Sequence, residues 1–187
     1  LPGFWPHAVL YVGDDDALLP AGGIGHIQVR GDNVFAGYWQ MPEKTQEEFT
    51  PDGFFRTGDM GRFDADGYLA IIGRDKDLII TGGLNVYPKE IEEAIDTLPG
   101  VAESAVIGLP HPDFGEAVTA VVVRGRDASG LTAEGIIAAL KGNIAGFKVP
   151  KAVHFVDDLP RNAMGKVQKN RLRERFGGDS DVRRLPA

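Results

Sequence analysis

The chain has 187 residues, of which 43% are hydrophobic and 25% charged, a balance that fits a globular protein of one or two small domains. Its formal net charge of −7 argues against nonspecific binding to nucleic acid, which needs a basic surface. With no cysteine, disulfides, thiolate catalysis and cysteine-ligated zinc are excluded, and the four histidines have no metal-ligand spacing. No metal site is expected. The longest apolar run, Ala117 to Val123, is far short of the ~20 residues that cross a bilayer, so no membrane span is expected. Because Leu1 is not a methionine, a longer gene product is expected, and any leader would precede this sequence.

The first part, to about Arg74, alternates short apolar runs with turn signals. Val9 to Val12, Ile24 to Val29, Arg62-Phe63 and Tyr68 to Ile72 read as strands. Asp14-Asp15-Asp16, Pro51-Asp52-Gly53 and Asp64-Ala65-Asp66-Gly67 supply turns, since Asp and Gly tolerate the required backbone angles. Short strands at this spacing suggest a barrel or sheet-rich layer, with one short helix from Glu43 to Phe49. The charged stretch Gly73-Arg74-Asp75-Lys76-Asp77 is a candidate domain boundary.

Beyond it, strands alternate with helices. Pro88 suits a first helical turn, and Glu90, Glu92 and Glu93 place negative charge at the positive end of the dipole. Ile91, Ala94, Ile95 and Leu98 recur at helical spacing until Pro99-Gly100 stops the helix. Val101 to Ile107 and Ala117 to Val123 read as buried strands. A second helix runs from the N-cap Thr132 to about Lys141, with Ile136, Ile137 and Leu140 inward. Ala152 to Val156 is a further strand. A last helix is expected from Lys166 to Phe176, ended by Gly177-Gly178, with a frayed polar tail after it.

Four stretches carry candidate chemistry. In Phe55-Arg56-Thr57-Gly58-Asp59, a carboxylate after a Thr-Gly turn can accept from both hydroxyls of a ribose; the plainer alternative is a turn aspartate capping its own backbone. Residues 73 to 91 hold Arg74, whose planar fork suits ribose or phosphate oxygens, and Gly82-Gly83, which admit close backbone approach; the alternative is a hairpin with solvated charges. Gly146-Phe147-Lys148-Val149-Pro150-Lys151 means little alone. Pro160-Arg161-Asn162-Ala163-Met164-Gly165-Lys166 is a glycine-preceded lysine loop, but it lacks the glycine spacing and the Ser/Thr of a P-loop.

Order and separation make these four more than loop sequence. Together with Gly25-His26-Ile27-Gln28-Val29-Arg30-Gly31 and Gly37-Tyr38-Trp39, the stretches resemble the adenylate-forming superfamily of acyl-CoA synthetases, luciferases and peptide-synthetase adenylation domains. The resemblance runs from about Pro20 to Phe176. It implies an α+β fold: residues 1–75 as the β-rich, barrel-like end of a large N-terminal domain, and residues 76–187 as a small mobile domain with a central sheet flanked by helices.

The same resemblance implies roles. Asp59 and Arg74 would hold the nucleotide. Lys76 would be the hinge, Lys166 the catalytic lysine of adenylation, and Gly82 and Gly83 would lie along the pantetheine arm of coenzyme A. ATP with Mg2+, coenzyme A and a small carboxylic acid would be the partners, in the cytoplasm, and the oligomeric state is left open. The phosphate loop, adenine segment and acyl pocket that would hold ATP, Mg2+ and the acid belong to an earlier part of such proteins. This chain alone is therefore expected to be inactive. Residues 33–39, 41–45, 113–119 and 159–170 resemble the malonyl-CoA synthetases, so malonate is the expected acid. Medium- or long-chain fatty acids are the alternative. A noncatalytic binding module and a peptide-synthetase domain loading a carrier protein are the rival classes. On the last helix, Lys166, Lys169, Arg171, Arg173 and Arg175 read as a solvated basic face rather than a contact for a coenzyme A phosphate.

Overall fold

A computed structural model of the chain describes residues 8–13, 16–20 and 22–178. The turn residues Asp14 and Asp15, and the tail beyond Gly178, lie outside the described residues. The chain divides into two compact units, Leu1–Lys76 and Asp77–Ala187. That division falls one residue after the expected boundary.

The first unit is built on four antiparallel strands, β1 (Ala8–Val12), β2 (Gly25–Arg30), β3 (Phe55–Phe63) and β4 (Leu69–Arg74), paired in chain order. Strand β3 is longer than sequence patterning suggested, because it runs through Phe55 to Asp59 as well as Arg62 and Phe63. Two irregularities in register, at His26/Gln28 in β2 and at Met60/Gly61 in β3, break the simple alternation that patterning looks for. Helix α1 (Pro42–Glu48) begins with Pro42 in its first turn. It leads into Phe49, whose ring joins Phe35, Tyr38 and Phe55 in edge-on and tilted contacts with centroids 5.0 to 5.6 Å apart. Asp64 supports the β3–β4 turn as expected, accepting from the backbone N–H of Asp66 and of Tyr68 at 3.0 and 2.8 Å.

The second unit is a five-stranded mixed sheet with helices on both faces. A short hairpin, β5 (Ile79–Thr81) and β6 (Leu84–Val86), precedes helix α2 (Pro88–Asp96). The long hairpin of β7 (Val101–His111) and β8 (Gly115–Arg124) supplies the central strand, β8, and the edge strand, β7. Helix α3 (Ala133–Lys141) follows, capped by the Thr132 hydroxyl, which accepts from the Gly135 N–H at 3.0 Å. Strand β9 (Ala152–Val156) then lies parallel to β8, and helix α4 (Lys169–Phe176) closes the unit.

Alternation along β7 and β8 sorts the core into two layers. Val106, Val118, Ala120 and Val122 face Ile91 and Ile95 of α2 and Ile136 and Leu140 of α3. Ala105, Ile107, Leu109 and Val121 face Leu159 and, from α4, Leu172 and Phe176. The outer edge of β7 is covered by α2: the Glu92 carboxylate accepts from the Val106 N–H at 2.7 Å.

One expectation is corrected. Helix α4 starts at Lys169, so Lys166 is not helical. Residues 161–167 instead fold back as a turn, closed by a bridge between Arg161 and Val167. The backbone O of Lys166 accepts from the Asn162 N–H at 2.9 Å, which holds the segment in a hairpin and defers the helix.

Leu172 is fully buried and fastens α4 to β7. Leu172→Ala is expected to destabilise the second unit by about 2–5 kcal/mol, the usual range for such a truncation. Urea unfolding checks this, and a change below about 1 kcal/mol would mean that α4 is not anchored as described.

Candidate functional site

Asp59 and Arg74 occupy directly opposed positions on β3 and β4. The Arg74 Nε lies 2.8 Å from Asp59 Oδ1. Both side chains are accessible, at 46% for Arg74 and 24% for Asp59, so the pair adds little stability and serves mainly to orient its two groups. The approach to Asp59 is shaped by Thr57. Its hydroxyl donates to the Ile27 C=O at 2.8 Å and accepts from the Asp59 N–H at 3.1 Å. Among the described residues Asp59 Oδ2 has no partner, which leaves acceptor capacity for a ligand hydroxyl.

A cleft of about 740 Å³ opens beside Thr57, Gly58, Arg74 and Lys76. On another wall, Asp16 accepts from Arg56 and from the Gln28 amide, both at 2.6 Å. The Arg56 guanidinium, then the Gln28 amide, hold the Asp16 carboxyl below its ordinary value of 3.8. A depressed carboxylate contributes its stability above that value and loses it as pH falls through the lower folded one. Lys76 lies in a single 3-10 turn, Asp75–Asp77, where the two units divide.

Gly82 and Gly83 form the two-residue turn of the β5–β6 hairpin, with Thr81 paired to Leu84. Both have positive φ, +57° and +78°, as a type I′ turn requires. Among the described residues, a Cβ at either would meet no atom within 4 Å beyond its chain neighbours, so backbone conformation rather than crowding demands glycine here. Hairpin and exposed turn thus coexist. The turn is held from behind: the Gly82 N–H donates to the Phe114 C=O, and the Ile80 N–H to Glu116 Oε2, each at 2.8 Å. Beside it the Phe114 ring stays 38% exposed, stacked on His111 and approached by Lys151 at 5.2 Å from its centroid.

Lys166 sits at the end of the Asn162–Gly165 turn, exposed and with no ion pair among the described residues. The Asn162 carboxamide oxygen accepts from the N–H groups of Met164 and Lys166, at 3.0 and 2.9 Å. Gly165, at φ +77°, lets the chain turn back.

The two exposed turns are anchored at opposite ends of the β7–β8 ladder. The glycine turn is tied to Phe114 and to Gly115, the first residue of β8. The lysine turn is tied through Arg161 to Glu103, which pairs with Val123. Eight residues of β8 separate these positions, roughly 27 Å along an antiparallel strand.

Residues 90–166 match the family described as the AMP-binding enzyme C-terminal domain. The second unit is an AMP-binding enzyme C-terminal domain. Over 95% of this chain, the ATP-bound MatB of Rhodopseudomonas palustris is 56% identical with a TM-score of 0.87, and the chain covers 35% of that protein. A feruloyl-CoA synthase of Amycolatopsis sp is 44% identical over 95% of the chain and 35% of its own length. A long-chain-fatty-acid–CoA ligase of Escherichia coli O6:H1 is 42% identical over 91% of the chain and 30% of its own length. The chain thus spans about a third of the length of the curated CoA ligases it matches.

Within the AMP-binding C-terminal domain, the basic run of α4 is less solvated than expected. Lys169 is paired with Glu92 at 2.6 Å, with side chains only 16% and 19% exposed, and Arg173 with Asp77 at 3.2 Å. Lys148, in the third stretch, pairs with Glu90 at 2.7 Å and leads the chain into β9. Sequence reading missed Glu103 and Glu116, which lie far along the chain from the turns they support. Among the described residues no group of three His, Cys, Asp or Glu could hold a metal ion. No helix among them is long and apolar enough to cross a membrane.

Gly83→Ala is expected to destabilise the AMP-binding C-terminal domain by about 1–2 kcal/mol, the cost of a left-handed residue with a Cβ, and nothing more, since the space is open. Urea unfolding measures it. An unchanged midpoint would mean that the turn adopts another conformation.

Proposed function

We propose that this chain is the C-terminal part of an ATP-dependent acid–CoA ligase. The observation that carries the reading is the placement of an unpaired lysine turn and an exposed glycine turn at opposite ends of one AMP-binding C-terminal domain. Two half-reactions in one pocket need two different faces. In the first, a carboxylate oxygen of the acid bonds to the α-phosphorus of ATP and pyrophosphate leaves. In the second, the coenzyme A sulfur bonds to the acyl carbon, AMP leaves and the thiol gives up its proton.

Lys166 serves the first step. Both reactants are negative, and an ammonium at ~4 Å offsets their repulsion by a few kcal/mol at an effective dielectric of ~20. Because charge shifts during the reaction, the effect falls mainly on rate. Asp59 accepts from the ribose hydroxyls and Arg74 binds beside it, already oriented by their mutual ion pair. Gly82 and Gly83 admit the pantetheine arm in the second step. Lys76 is the hinge that exchanges the two faces, a closure by backbone rotation at one residue. Mg2+ enters as the companion of ATP, and no residue of this chain is assigned to it. A cytoplasmic location accords with the need for ATP and coenzyme A.

Malonate is the acid in this reading. It is supported by the resemblance of residues 33–39, 41–45, 113–119 and 159–170 to malonyl-CoA synthetases, and by 56% identity to MatB. Its second carboxylate requires a buried cationic or hydroxyl partner, because an unpaired charge in a pocket is costly. That partner lies outside this chain.

In the full-length enzyme, Lys166→Ala is expected to slow adenylation by ~10²–10³ while thioester formation from preformed acyl-adenylate survives. Equal loss in both half-reactions would refute the assignment. A panel of acids with and without coenzyme A is expected to favour malonate with coenzyme A. Preference for a fatty acid would correct the acid, and turnover without coenzyme A would correct the class.

A further inference from the structure

We infer that Arg161 is the positioning residue of Lys166, and that Glu103 is its anchor on β7; this rests on the role proposed for Lys166. The peptide group joining Gly165 to Lys166 is gripped at both of its polar atoms. Arg161 Nη1 donates to the Gly165 carbonyl oxygen at 2.7 Å, and the Lys166 N–H donates to Asn162 Oδ1 at 2.9 Å. A peptide is planar, so holding its oxygen and its nitrogen from two sides restricts how the whole group can turn. That restraint holds the backbone from which the Lys166 side chain leaves.

A grip is useful only if its other end is rigid. Arg161 Nη2 donates to the Glu103 carboxylate, so one guanidinium spans the turn and the sheet. Its planar fork can do this, whereas a lysine offers a point charge and no fork. Glu103 lies on β7 beside a register irregularity between Val101 and Glu103, and it faces the same side as Ala105, Ile107 and Leu109, which pack against α4. The path from the fully buried core to the lysine is therefore short: β7, Glu103, Arg161, the Gly165 carbonyl, Lys166. Without it, the exposed turn would keep its own hydrogen bonds but lose this side-chain tie to β7.

The pair is 40% and 31% exposed, so its worth is geometric rather than stabilising. Its loss should appear in the rate of the step that Lys166 serves and nowhere else.

The test uses the full-length enzyme and measures each half-reaction separately. Arg161→Ala is expected to lower the adenylation rate by ~10- to 100-fold, the scale of a misplaced catalytic group, with the KM values for ATP and acid little changed. Thioester formation from preformed acyl-adenylate should stay normal. Arg161→Lys should recover only part of the loss, and Glu103→Gln, which still accepts from Arg161, should lose less than Arg161→Ala. Should Arg161→Ala fold poorly, Arg161→Lys and Glu103→Gln give the same ordering. Normal adenylation by Arg161→Ala, or equal loss in both half-reactions, overturns the inference. Lys166→Ala run beside it separates the two claims. A slow Lys166→Ala with a normal Arg161→Ala rejects the clamp alone, and a normal Lys166→Ala rejects the catalytic lysine and the clamp with it.

Discussion

The hydrogen-bonded ladder between β7 and β8 is the constraint on which the second unit depends. It runs from Val101 opposite Arg124 to His111 opposite Gly115. Its two faces bury separate layers, one against α2 and α3 and the other against α4. Its two ends anchor the glycine turn and the lysine turn. Strand spacing therefore fixes how far apart those turns lie, and side-chain alternation fixes which groups can reach each of them. Glu103 can reach Arg161 because it shares the parity of Ala105 and Ile107. Glu116 shares the parity of Val118, faces the other layer and meets the N–H of Ile80.

Carboxylates do much of the joining where backbone pairing runs out. Strand β5 meets β8 at one pair, Thr81 with Gly115, and Glu116 supplies a further acceptor. Among the described residues the outer edge of β7 has no strand beside it, and Glu92 accepts there while also holding Lys169 from α4. Such charge-assisted hydrogen bonds are stronger than neutral ones and can be made at the margins of a sheet without burying a bare charge. A net acidic composition is consistent with this use. Several lysines and arginines that look surplus along the sequence are committed to these carboxylates, and Lys166 is left without such a partner among the described residues.

Most of the second unit was legible in the sequence because its signals are local. Pro88 and the Ile91/Ile95 spacing mark α2, Thr132 marks the start of α3, and β9 matches the run Ala152 to Val156. The start of α4 was misplaced because Lys166 to Gln168 carry no helix-breaking residue; the interruption comes from Asn162 and Gly165 upstream, whose hydrogen bonds draw the chain into a turn. The candidate site was legible only as residue types in order. Asp59, Arg74, Gly82, Gly83 and Lys166 stand out as motifs, but their supports do not. Glu103 lies 58 positions from Arg161 along the chain, and nothing near it in sequence announces the contact. In the first unit, β3 was only partly legible, since its register shifts erase the alternation that marks a strand.

We propose that one domain serves two reactions with two separate turns, and that a rotation at Lys76 exchanges them. Lys76→Pro fixes φ and so restricts the rotation, at a position outside both turns. The decisive measurement is the rate of each half-reaction in the full-length enzyme carrying Lys76→Pro. The account predicts that one half-reaction persists while the other falls sharply. Normal rates for both would contradict it.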